Sequence, residues 1–91
     1  MDIVKVIWLD THGHDEAWVG PEEAVAMNPI EMVTIGYLVE HTDLSVTVAG
    51  TVSDCKEYFG NMNCIPRGCV KNILPLKVDC GHLCPQEDPE C

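Results

Sequence analysis

A mainly β fold is what this sequence predicts, and three observations predict it. Apolar residues recur at every second position in the stretches 3–9, 33–39 and 44–52, which is the period of a strand. The same stretches are rich in Val, Ile, Thr and Tyr, the residues that fit a pleated backbone. Between them stand short clusters of Asp, Asn, Gly, His and Pro that turn the chain. At 91 residues the chain is one domain, able to bury roughly 60 to 65% of its unfolded surface in a modest core.

The elements follow in order. In 3–9, Val4, Val6 and Trp8 share one face and Ile3, Ile7 and Leu9 the other, so this strand is expected to be central and buried on both sides. Gly20-Pro21-Glu22-Glu23-Ala24-Val25-Ala26-Met27 places Pro at a first helical position with two acids in the first turn, and Asn28-Pro29 ends the segment. A helix of about two turns is expected, with Val25 and Met27 docked on the sheet because so short a helix is marginal alone. Val33, Ile35, Tyr37 and Val39, then Leu44, Val46, Val48 and Val52, form the strongest hairpin signal, joined by His41-Thr42-Asp43. From Ser53 to Asn63 the pattern breaks into a loop or short edge strand. Ile65-Pro66-Arg67-Gly68 is a tight turn into a last strand, Cys69 to Leu74, limited by Pro75. Five short strands and one short helix in about 75 residues close most economically into a small SH3-like or Sm-like barrel; the alternative is an α+β roll with the helix over one open face. The domain covers residues 1–76. A cysteine-rich tail, 77–91, is too poor in apolar residues to fold by burial alone.

Charge and cysteine usage narrow the function classes. The net charge is −10, and residues 1–50 carry nine acids against Lys5 alone. Such a field repels nucleic-acid backbones, which argues against direct nucleic-acid binding. It is also compatible with a protein that presents carboxylates where a partner expects phosphates. No apolar run approaches the roughly 20 residues needed to cross a bilayer, and the first ten residues carry acids at 2 and 10 with no basic flank, unlike a signal peptide. A soluble protein of a reducing cytoplasm, with no membrane partner, is the expectation.

His12-Gly13-His14-Asp15 has the look of a metallohydrolase loop but lacks a histidine after Asp15 and the further ligands a two-metal site needs. A solvated acidic loop is the better reading. All six cysteines lie from Cys55 onward. Cys80, His82, Cys84 and Cys91 offer four soft ligands within twelve residues, so zinc is the one cofactor the chain could hold there; disulfides and free thiols are the alternatives. Cys69 is expected to be a small core residue. No nucleophile turn, phosphate loop or dinucleotide fingerprint occurs, so the chain is not expected to be an enzyme. Candidate ligand-binding residues are Trp18, Arg67, Lys71 and Tyr37: two of the five basic residues, able to hold a phosphate or carboxylate, with aromatics able to stack on a ring. Tyr37 and Trp8 also suit the core, and Trp18 is the aromatic expected to be exposed.

Trp8-Leu9-Asp10, Trp18, Thr34-Ile35-Gly36-Tyr37-Leu38-Val39-Glu40, Val48-Ala49-Gly50-Thr51 and Ile65-Pro66-Arg67-Gly68-Cys69-Val70, taken as a set over residues 3–74, resemble a group of small bacteriophage-encoded proteins. The resemblance implies a viral accessory protein in the cytoplasm of an infected bacterial host, acting by binding; a small core and the exposed edges of an incomplete barrel lead to the further expectation of a homo-oligomer. Its most concrete form is counter-defence by sequestering a small anionic ligand, a nucleotide signal of host immunity, through Trp18, Arg67 and Lys71. An acidic inhibitor of a host protein and a zinc-stabilised interaction module are the other readings.

Overall fold

The computed structural model describes residues 1–77. Five antiparallel strands form one sheet: β1 (Ile3–Asp10), β2 (Ile30–His41), β3 (Ser45–Val52), β4 (Phe59–Pro66) and β5 (Val70–Leu76). Their spatial order is β4-β3-β2-β1-β5. A five-residue helix α1 (Pro21–Val25) interrupts the β1–β2 connection, and a single 3-10 turn, Arg67–Cys69, joins β4 to β5. No ladder pairs β4 with β5 among the described residues, so the sheet is open and the closed barrel expected from the sequence is not formed by strand pairing.

The long strand β2 organises the sheet by changing partner along its length. Residues Ile30 to Tyr37 pair with β1, whereas Tyr37 to His41 pair with β3. A register irregularity at Val39, between Leu38 and Glu40, accompanies the change, as expected where a strand bends and twists more strongly. The two halves then fold toward each other. Val4, Val6, Val46, Val48 and Ile65 meet between them as the buried cluster, with Trp8, Leu38, Cys69, Val70 and Ile73 packed around it. The indole N–H of Trp8 donates to Thr34 Oγ1 at 2.9 Å, satisfying the polar edge of this half-buried ring.

The turns are held by local chemistry. Thr42 Oγ1 accepts the N–H groups of Leu44 and Ser45, both at 3.1 Å, fixing the β2–β3 hairpin. Arg67 N–H donates to the carbonyl of Leu44 at 2.9 Å, which ties the 3-10 turn to that hairpin and brings β5 back beside β1.

Four expectations are corrected. The helix spans a little over one turn, and Val25 is 85% exposed instead of docked; five residues cannot hold an apolar stripe against a sheet. The stretch expected as a loop or short edge strand is both, a loop from Ser53 to Tyr58 and then the edge strand β4, which is longer than expected and runs eight residues through Ile65-Pro66, where a turn was expected. Pro75 lies within β5, opposite Val4, because an edge strand can turn the missing N–H away from the ladder. Finally, β1 is buried on one face only: Val4 and Val6 enter the core, while Ile3, Ile7 and Leu9 remain partly exposed.

Candidate functional site

The most extensive unusual surface is the outer face of β5, β1 and β2, opposite the core. Side chains alternate between faces along a strand and directly paired residues share a face, so the register defines it. One row is Leu76–Ile3–Tyr37, the next Leu74–Lys5–Ile35, the next Asn72–Ile7–Val33. Val33 is 55% and Ile35 58% exposed, with Leu74 and Leu76 also open to solvent. Three strands about 4.8 Å apart over seven residues at about 3.3 Å give a footprint on the order of 300 Å². A largely apolar face of this size is at the lower end of the largest patch on an ordinary monomer, about 300 to 600 Å², and such patches are often functional.

Charge at this face is sparse in a strongly acidic chain. Lys5 stands in the middle row and has no ion-pair partner among the described residues. At the Leu9 end, Lys71 Nζ meets Glu31 Oε1 at 2.8 Å. Glu31 is on β2 and Lys71 on β5, so the pair reaches across β1. A bulge makes this possible: Ile7 pairs with Asn72 but Trp8 with Val70, leaving Lys71 as the extra residue of β5, and such an extra residue is free to re-aim its side chain. Both partners are about half exposed, so Lys71→Met is expected to cost no more than about 1 kcal/mol in a urea titration.

The four sequence-derived ligand residues lie on different elements and do not gather around one pocket. Lys71 is held at Glu31 near one end of β2. Tyr37 sits at the change of partner, half-buried beside Ile3 and Ala49. Arg67 is at the far end, its guanidinium donating to Nε2 of His41. Arg67 and Lys71 stand four residues apart in the chain and are held by different residues of β2. Trp18 lies in the β1–β2 connection, 89% exposed and not over the core. The partner of Arg67 is thus a histidine from the hairpin, with no local sequence signal.

The remaining chemistry-bearing groups are dispersed. In the loop after β1, His12 Nδ1 lies 3.2 Å from the Asn28 carbonyl and His14 Nε2 3.4 Å from Glu23 Oε2. Among the described residues no three of His, Cys, Asp and Glu converge as metal ligands. Cys69 packs against the core as expected, while Cys55 and Cys64 are exposed. Thr47 Oγ1 donates to Cys64 Sγ at 3.4 Å, and this bond, with a second from Ser45, draws the thiol below its ordinary pKa. Cys80, His82, Cys84 and Cys91 lie outside the described residues. No described helix is long and apolar enough to cross a membrane.

Comparison of the chain with protein-family models, with curated proteins and with solved structures finds no match. The functional reading is therefore carried by the chain's own residues.

Proposed function

We propose that this chain is a non-enzymatic binding module on an SH3-like barrel, an accessory protein of the phage kind that inhibits a host protein by covering its surface. The barrel reading is supported by the order β4-β3-β2-β1-β5, by the partner change of β2 and by the 3-10 turn between β4 and β5. One observation carries the function: the contiguous apolar outer face of β5, β1 and β2 with Val33 and Ile35 more than half exposed. The net charge of −10 names the occupant, a basic protein surface with an apolar centre. Its basic rim draws this acidic chain in, and its centre is buried on contact. A nucleotide pocket is less favoured, because Arg67 and Lys71 are already engaged by different partners, His41 and Glu31.

Ile35→Glu tests it. The full chain is used to isolate a basic partner from host lysate, and the complex is rebuilt from the two purified proteins. The wild type is expected to bind at least tenfold more tightly than Ile35→Glu, with affinity falling as salt rises. Equal binding by the two proteins overturns the assignment of the face. Sedimentation of the protein alone covers the competing occupant: concentration-dependent dimers lost in Ile35→Glu assign the face to a second copy instead.

A further inference from the structure

The cleft at the far corner of the outer face has a different character. Met1, Tyr37, Val52, Ser53, Asp54 and Lys56 line a cavity of ≈ 330 Å³, at the small end of ligand sites. Tyr37 is the aromatic residue of the lining and Val52 an aliphatic one. The 53–58 loop contributes a cationic residue, Lys56, and an acidic one, Asp54, to the same lining. Neither has an ion-pair partner among the described residues. Opposite charges two residues apart that leave each other unpaired can be satisfied together by a ligand carrying the complementary pair.

The loop is built to hold that arrangement. Ser53 N–H donates to the Tyr58 carbonyl at 3.0 Å, and Lys56 N–H to the Ser53 carbonyl at 2.9 Å. Ser53 Oγ accepts the N–H groups of Glu57 and Tyr58, each at 3.1 Å. Lys56 itself is held at φ 59, a left-handed conformation that a lysine adopts at a cost and that glycine or asparagine would adopt more readily. Strained residues at a cleft are a recognised sign of function. Here the strained residue is the one that supplies the cation.

We infer that this cleft binds a zwitterionic α-amino acid with an apolar side chain: its carboxylate on Lys56, its ammonium on Asp54 and its side chain over Tyr37 and Val52. A purely anionic ligand would meet Asp54, and a purely cationic one Lys56, so a molecule with both charges is the class that suits both groups. The site adjoins the Val33–Ile35 surface through Tyr37, and it stands without the reading proposed for that surface.

The test is a titration of the isotope-labelled full chain, followed by amide resonances, with L-leucine, N-acetyl-L-leucine and L-leucinamide as probes. Leucine is expected to shift the 53–58 amides saturably with a dissociation constant on the order of 1 mM, as suits so small a ligand in an open cleft. Each blocked form should bind at least fivefold more weakly. Lys56→Asn, which accepts the left-handed backbone, should abolish the preference for leucine over leucinamide, and Asp54→Asn the preference over N-acetyl-leucine. If either variant lost its dispersed spectrum, the comparison of the three probes on the wild type would still decide. Absence of saturable shifts in the loop, or equal binding of all three probes, overturns the inference.

Discussion

Replacing Gly36 by alanine is expected to destabilise the fold by about 2 to 3 kcal/mol, at the upper end of the range for overpacked sites. Gly36 faces the core from β2, opposite Val4, where β3 crosses close above it. A Cβ built there stands 2.6 Å from the Ala49 carbonyl oxygen and 3.2 Å from its carbon. That oxygen is backbone, and Ala49 is in the β2–β3 ladder as the partner of Tyr37, so it cannot yield by a rotamer change. Losing the entropy of a glycine in the unfolded chain would return only about 0.4 to 1 kcal/mol, too little to offset the clash. With a slope near 1 kcal/mol per molar urea for a chain this small, the midpoint should fall by about 2 to 3 M. A shift close to zero would mean that β3 does not cross β2 at this residue.

What the sequence carried and what it did not can be separated by the range of the interaction involved. The β2–β3 hairpin was legible because alternation and turn chemistry act within a few residues; Thr42 closes its own turn. The helix was overestimated because Pro21 and the acids after it mark where a helix starts, not how far it runs, and nothing after Val25 holds the next turn to the sheet. The alternation of β1 was also legible, but its meaning was not. An apolar face covered by the same chain and one left partly exposed have the same pattern, so Ile3, Ile7 and Leu9 read as buried. Arg67 and Lys71 stood out by rarity in an acidic chain, yet their partners His41 and Glu31 are 26 and 40 residues away. Only the bulge at Lys71 and the hairpin seat of Arg67 bring them together. Lys56 gave no signal either, since its left-handed backbone occurs where a reader of turns would look for glycine or asparagine.

Ile65→Ala is the second substitution with a large expected effect, and its value lies in comparison with Ile35→Ala. Ile65 is 1% exposed on β4, paired with Val46, which is fully buried. Truncation removes three carbons from the centre of a cluster with only five fully enclosed members. The bent sheet cannot collapse into the space without pulling β4 from its edge. A loss of about 3 kcal/mol follows from the lost transfer energy and the cavity together. That is a large part of the stability of a small domain, commonly about 5 to 10 kcal/mol. Ile35 has the same side chain on the neighbouring face but is 58% exposed, so Ile35→Ala should stay within about 0.5 kcal/mol. Urea titrations of the two proteins under one condition measure the asymmetry of the sheet directly. Equal losses would show that Ile35 is covered in solution, either by this chain or by a second copy. In that case repeating the Ile35→Ala titration across protein concentration separates the two, because only a cover from another copy makes the loss depend on concentration.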